Sequence, residues 1–216
     1  MEWQPFILSI KLAAVTTVVL FLMAIPLTFV VRFYTFRFQP AIKAIISLPL
    51  VLPPTVLGFY LLVALNPDSA IGSFFNDTFG IQLVFSFTGL VIGSVIYSLP
   101  FMVNPVFSAL ENLPNTLSES AIMLEPSRFR IFRRILLPNV KTSLIVGSVM
   151  TFAHTIGEFG VVLMIGGNIP LETRTASIAI YNEVEALNYA QADQYALILL
   201  GFSALVLIGV YWLERR

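Results

Sequence analysis

Five stretches of this sequence stay apolar for about 20 residues or more, the length a helix needs to cross a bilayer. They lie near 8–31, 44–65, 84–110, 142–165 and 194–213. A soluble fold could not bury them all. Soluble domains carry roughly 25% charged residues, whereas this chain of 216 carries 11% and is 57% hydrophobic. Hydrocarbon leaves backbone polar groups no partner but the segment itself, so such stretches become helices. The expected fold is a single all-α integral membrane domain, 1–216, with five transmembrane helices.

Details within the stretches sharpen this. The opening Met1-Glu2-Trp3-Gln4-Pro5 lacks the basic head of a cleavable signal, so the first stretch is expected to stay as a span. Lys11, near its outer end, can snorkel to the interface. The second stretch contains Pro49, Pro53 and Pro54. Prolines remove helix hydrogen bonds, and the part after Pro54 is too short to cross alone, so a kink inside the membrane is expected. The third carries Gly89-Leu90-Val91-Ile92-Gly93, a small-xxx-small pattern that permits close helix packing.

Basic residues favour cytoplasmic loops. Arg32, Arg37, Lys43, Arg128, Arg130, Arg133, Arg134, Lys141, Arg215 and Arg216 fall on one side, and Lys11 and Arg174 on the other. Ten against two predicts an outside N-terminus and an inside C-terminus, as five spans require. Trp3 and Trp212 then lie at opposite interfaces. A net charge of zero argues against nucleic-acid partners, and without cysteine there is neither a disulfide nor a thiolate metal site. The chain has no P-loop, so it is not expected to hydrolyse ATP itself.

The longest inside connection, 111–141, joins spans three and four. Residues 119–124 read as a short helix, Glu125-Pro126 as a break, and 128–137 as a second helix closed by Pro138. Phe129, Phe132, Ile135 and Leu136 share a face of that second helix, and arginines line its rim. Taken alone, this is also the pattern of an amphipathic helix lying on anionic lipid.

The segment resembles the coupling loop of the permeases of bacterial ABC importers. Glu119-Ser120-Ala121 stands where that family has Glu-Ala-Ala, and Ile135-Leu136-Leu137-Pro138 stands at its characteristic ending. Glu125 replaces the family's glycine, which puts the turn geometry at issue. The resemblance implies that Glu119, Ser120, Ala121, Met123, Leu124, Glu125, Pro126 and Arg128 couple the chain to a cytoplasmic ATPase. Ser47-Leu48-Pro49-Leu50-Val51-Leu52-Pro53-Pro54-Thr55-Val56-Leu57-Gly58 is similar to the second span of molybdate-type permeases. Gly157-Glu158-Phe159-Gly160, Asn168-Ile169-Pro170 and Glu172-Thr173-Arg174-Thr175 are similar to their fourth span and outer loop. By that resemblance the chain is expected in the bacterial cytoplasmic (inner) membrane as the permease subunit of a molybdate or tungstate importer, with sulfate or thiosulfate as the alternative. It would form a homodimer on an ABC ATPase dimer and receive its oxyanion from an external, periplasmic binding protein. No cofactor is expected on this chain; ATP and Mg belong to the partner ATPase.

Glu158 is the one acidic residue well inside a span, and an intramembrane ionisable group is a functional candidate by default. His154, the single histidine, lies four residues earlier on the same expected helix face. Thr151 and Thr155 flank it. The group reads either as a polar stripe along a translocation pathway or as a hydrogen-bonded His–Glu pair that fixes helix packing. A His–Glu acid–base enzyme is a remote rival that explains neither the basic loop nor the prolines. A metal site needs at least a third ligand. A fixed carboxylate repels a dianion, and no mid-membrane Arg or Lys cluster is present to hold one, so the passage is expected to bind weakly.

The outer loop, 166–193, is acidic, with Glu172, Glu183, Glu185 and Asp193. Residues 175–187 fit a short amphipathic helix with Ile178, Tyr181 and Val184 on one face. Glu172, Arg174, Glu183 and Glu185 are candidates for docking the binding protein or for an outer gate.

Overall fold

A computed structural model describes residues 2–34, 38–114, 117 and 127–214. Its described residues form helices and connecting turns. Helix α1 runs Gln4–Tyr34. The next apolar stretch is two helices, α2 (Gln39–Val51) and α3 (Pro54–Leu65), bent by 109° at the break between them. The cause is local. Leu52 precedes a proline and is extended at ψ 136°, where helical geometry is disfavoured. Pro54, which has no N–H to lose, opens the new helix. The kink expected from sequence is therefore a full break.

Helix α4 (Ala70–Phe79) starts where the Ser69 hydroxyl accepts the Gly72 N–H at 2.9 Å. It stops at Gly80, whose left-handed φ of 65° suits glycine. Helix α5 (Phe87–Glu111) is likewise capped, Gly89 N–H donating to Ser86 Oγ at 3.2 Å.

After the connection comes α6 (Arg128–Asn139), whose middle, Phe132–Leu136, is a π-helical turn. There the Leu137 N–H reaches back to the Phe132 carbonyl, five residues instead of four. The turn ends just before Pro138, which has no N–H to donate, so the helix passes through a proline expected to close it. Helix α7 (Lys141–Gly157) turns away from α6 by 70°. Helices α8 (Gly160–Gly166), α9 (Ala176–Glu185) and α10 (Tyr189–Glu214) complete the chain.

Helices α1, α5 and α7 pack on one another as the centre. Leu12, Leu20, Ala24, Leu90, Met102 and Val103 are buried among them. Around this centre α3 packs on α8, α2 on α5, and α10 on α7 and α9. The outside is strongly apolar. Leu197, Leu200, Leu205, Leu207 and Ile208 on α10 are all exposed, a surface that needs lipid or another protein against it.

Three helices are long and apolar enough to cross a membrane unaided: Gln4–Phe33, Phe87–Glu111 and Tyr189–Gly209. Counting the bent pairs α2–α3 and α6–α7 as one span each raises the number to five. The stretch 142–165 differs from its expectation of one continuous helix, because α7 ends at Gly157.

One end of the bundle is tied together by α6. Ile131, Phe132 and Leu136 are buried with Val106 and Leu110 of α5 and Leu144 of α7. Phe29 of α1 lies edge-on to Phe132, with centroids 5.3 Å apart. Of the expected apolar face, Phe132 and Leu136 are buried and Ile135 packs against them, while Phe129 is 59% exposed and Ile131 takes a buried place.

Candidate functional site

The two interrupted apolar segments meet. Glu158 is extended at φ −63°, ψ 133°, so α7 stops one residue short of it. Phe159 (φ −128°, ψ −63°) then turns the chain into α8. The break frees backbone groups, and a neighbour takes one: Ser177 Oγ on α9 donates to the Glu158 carbonyl at 2.9 Å.

Glycines let α8 approach α3 and α5. A Cβ built on Gly58 would lie 2.7 Å from Met164 Cβ and 3.1 Å from Val161 Cα. One on Gly160 would lie 2.7 Å from Pro54 Cβ, and one on Gly93 2.6 Å from Ile165 Cδ1. The two sequence stretches that resemble molybdate-type permeases thus touch each other at their breaks.

Beside this contact is a cavity of about 530 Å³. Pro54 and Thr55 border it from α3, Tyr97 from α5, Ala153, His154 and Gly157 from α7, and Glu158, Phe159 and Gly160 from the second break. No Lys or Arg borders it among the described residues.

The four pathway residues expected from sequence divide. Glu158 and His154 border the cavity. Thr155 is buried against α5 and shares a hydrogen bond with Ser98 at 3.0 Å. Thr151 is fully buried, its hydroxyl has no partner among the described residues, and it lies away from the cavity wall. The hydrogen-bonded His–Glu pair is not formed. Glu158 is 3% exposed, and neither carboxyl oxygen has a hydrogen-bond partner among the described residues. The Ser94 hydroxyl faces it without hydrogen-bond geometry. His154 instead stacks on Phe101, centroids 4.1 Å apart, beside Tyr97 at 4.9 Å, with no partner for Nε2 among the described residues. The i, i+4 argument fails because it needs both residues inside one helix, and Glu158 has left it.

Thr55, Tyr97 and the Pro54–Gly160 contact are not among the site elements read from sequence. The double proline signalled the first break. The glycines bracketing Glu158 signalled the second, but the apolar run around them concealed it.

At the other end, Ala176, Ser177, Ile178 and Ala179 are four consecutive buried residues, so the whole first turn of α9 is enclosed. Ala176 N–H donates to Ser9 Oγ of α1 at 2.9 Å. The expected apolar face is only partly right: Ile178 is buried, while Tyr181 and Val184 are 41% and 42% exposed. A turn inserted into a bundle is covered on every side, which overrides helical periodicity.

Thr173 is fully buried. It accepts from Ile169 N–H at 3.0 Å and donates to the Gly166 carbonyl at 2.7 Å, which pins the loop to α8. Arg174 Nε donates to Asn168 Oδ1 at 2.7 Å, Asn188 to Glu183 Oε2 at 2.9 Å, and Tyr181 Oη to Glu185 Oε1 at 2.6 Å. That bond to the Glu185 carboxylate, with its charge, holds the Tyr181 phenol above its ordinary pKa. Glu172 is exposed.

Of the coupling residues expected from sequence, Glu119, Ser120, Ala121, Met123, Leu124, Glu125 and Pro126 lie outside the described residues. Arg128 is described, and its Nη1 donates to the Phe33 carbonyl at the end of α1 at 3.3 Å. No group of three or more His, Asp or Glu is placed to hold a metal among the described residues.

Residues 21–216 match the family described as the binding-protein-dependent transport system inner membrane component. The chain is 44% identical over 209 residues to a molybdenum transport system permease protein of Azotobacter vinelandii, covering 96% of this chain and 92% of that one. The corresponding Escherichia coli (strain K12) protein is 34% identical over 99% of this chain and 94% of its own length. A sulfate transport system permease protein of Salmonella typhimurium is 31% identical over 85% of this chain and 66% of its own. Among solved structures, a bacterial alginate ABC transporter in complex with an alginate-bound periplasmic protein shares the fold, with TM-score 0.76 at 16% identity. The match covers 99% of this chain and 78% of that one.

Proposed function

We propose that this chain, which belongs to the family of binding-protein-dependent transport system inner membrane components, is the permease subunit of an ATP-driven importer for a tetrahedral oxyanion, molybdate or tungstate first. The observation that carries the proposal is the 44% identity to a molybdenum transport permease along almost the whole of both chains. A sulfate permease at 31% identity supports sulfate as the second reading. Both readings keep the same chemistry, a small dianion moved without covalent change.

In this reading the chain crosses the bacterial inner membrane five times, with its N-terminus outside. Its arginines, gathered in 128–134, favour that orientation. Two copies enclose one route, because a single bundle with this much exposed apolar surface is incomplete. The chain has no P-loop, so a pair of cytoplasmic ATPases supplies the hydrolysis. Their closure is delivered at 119–126 and passes along α6. Phe132, seated against Phe29 of α1 and the end of α5, gives a push on α6 a rigid path into the central helices.

The route runs beside the two helix breaks, past His154 and Glu158, with Thr151 and Thr155 supporting the wall. Irregular backbone in a bilayer is tolerated where it lines a cavity, which gives both breaks a use. The enclosed first turn of α9 serves as the outer gate. Glu172, Arg174, Glu183 and Glu185 around it meet the periplasmic binding protein.

The test is uptake by the chain co-reconstituted with its ATPase and binding protein. ATP-dependent accumulation of labelled molybdate, outcompeted by tungstate and poorly by sulfate, is the expected result. Accumulation of none of the three would sink the importer reading.

A further inference from the structure

We infer that the arginine face of α6 is a docking surface for anionic phospholipid, with Phe129 at the top of the acyl chains and Arg130, Arg133 and Arg134 on the phosphates. The inference requires only that the chain crosses a bilayer, whichever solute it moves.

Position comes first. Helix α1 is long and apolar enough to cross a membrane, and that segment ends at Phe33. Arg128 Nη1 donates to the Phe33 carbonyl at 3.3 Å, so α6 begins level with the end of the span. There hydrocarbon gives way to headgroups. From this point α6 leads into α7 through a 70° bend. Because α7 packs on α1 and α5, two helices that can cross the bilayer, α6 lies nearer the membrane plane than the membrane normal. Its side against the bundle is filled: Ile131, Phe132 and Leu136 are buried. Its other side carries Phe129, Arg130, Arg133 and Arg134, all exposed.

Chemistry then selects the occupant. Phe129 lies edge-on to Phe29 of α1, with centroids 5.9 Å apart. Leu22, two turns earlier on the same side of α1, is 63% exposed. Phe129 therefore extends a stripe of α1 that faces lipid. The guanidinium groups beside it suit phosphate, which they can grip through two parallel N–H donors. Segment 127–141 holds Arg128, Arg130, Arg133, Arg134 and Lys141 and no acid, in a chain whose net charge is zero. Basic residues clustered beside a span attract anionic headgroups, and a helix in the interface plane adds the apolar contact. In the proposed orientation this is the cytoplasmic leaflet, whose surface is negative. The stretch assigned to the ATPase, 119–126, differs in kind: it carries Glu119 and Glu125 and no basic residue. Lipid, rather than the ATPase, is the partner that the arginine face fits.

The chain has no cysteine, so Phe129→Cys takes a single bimane label, an apolar ring in place of the phenyl group. The labelled chain is assembled with its ATPase and reconstituted in vesicles of phosphatidylcholine and phosphatidylglycerol. A nitroxide quencher is carried on the acyl chain of one lipid or the other. At equal mole fraction, nitroxide phosphatidylglycerol should be enriched at the label about fivefold over nitroxide phosphatidylcholine, the equivalent of one arginine near an anionic surface. Arg130→Gln, Arg133→Gln and Arg134→Gln together should bring the two lipids level. Salt at about 1 M should shrink the preference with all the arginines in place. If the triple variant fails to fold, Arg133→Gln alone should lower the preference. Equal quenching by the two lipids with every arginine present overturns the inference, as does a preference that the arginine variants leave intact. Absence of quenching by either lipid overturns it too, because the face would then be covered by the ATPase. Failure of the importer reading shows separately, as absence of ATP-dependent uptake by the unmodified complex with its binding protein.

Discussion

A methyl group on Gly160 would sit 2.7 Å from the Cβ of Pro54 and 3.4 Å from the Thr55 nitrogen. The bare glycine is what lets the break before α3 rest against the break before α8. Residues more than a hundred positions apart in sequence thereby build one wall of the cavity. Gly58 repeats the arrangement one turn along α3, against Met164 and Val161.

Gly160→Ala and Gly58→Ala should therefore destabilise by about 1–3 kcal/mol each, the range for overpacking a close contact. Gly58→Ala should be the harder to absorb, since one obstacle is the Val161 Cα itself, 3.1 Å away. Gly201→Ala on α10 is the control: its methyl would meet nothing within 4 Å. Thermal unfolding in detergent should show a lowered midpoint for the first two and an unchanged or raised one for the third.

Ser98 and Thr155 are buried and share a hydrogen bond of 3.0 Å between α5 and α7. Such bonds between membrane helices are worth about 0.6 kcal/mol on average and up to ~1.7. A cycle of Ser98→Ala, Thr155→Val and the double variant should give a coupling energy in that range by reversible unfolding. A coupling indistinguishable from zero would mean that the two hydroxyls fold equally well with other partners.

Much of the architecture was legible because lipid demands simple rules. The apolar runs marked the helices, and Pro53-Pro54 marked the first break, since proline acts through its own covalent geometry. The second break was harder to read. Gly157 and Gly160 bracket it, but their neighbours are as apolar as any span, and hydropathy averaged over a window carries no word of where a helix stops. The Lys11 Nζ lies over the Phe87 ring, 4.4 Å from the centroid. Contacts of that kind, like Pro54 against Gly160, depend on how distant helices are placed and leave no periodic mark. The cavity bordered by Thr55, Tyr97, His154 and Glu158 belongs to this second class.

Tyr181 and Glu185 offer a local check on α9. The carboxylate accepts the phenol's proton at 2.6 Å and raises the phenol's pKa. Glu185→Gln removes the charge, so Tyr181 should ionise at a lower pH than it does beside the carboxylate. A difference absorbance titration between the two proteins should show one phenolate appearing earlier in the variant. Identical curves would mean that the bond does not persist in solution.

Phe132 and Phe129 sit three residues apart on α6, yet one is 2% exposed and the other 59%. Phe132 packs against Phe29 and the buried ends of α5 and α7, whereas Phe129 meets Phe29 only edge-on at 5.9 Å. Emptying a buried aromatic site costs about 3–5 kcal/mol, so Phe132→Ala should lower the unfolding midpoint clearly and Phe129→Ala only slightly. A sharper contrast is expected in coupling. If motion of the ATPases reaches the central helices through this contact, Phe132→Leu should keep most of the stability. It should still weaken the stimulation of ATP hydrolysis by the loaded binding protein, because the smaller side chain leaves slack against Phe29. Phe129→Leu should leave that stimulation unchanged. Equal stimulation in both leucine variants would place the path from α6 to the passage through other residues.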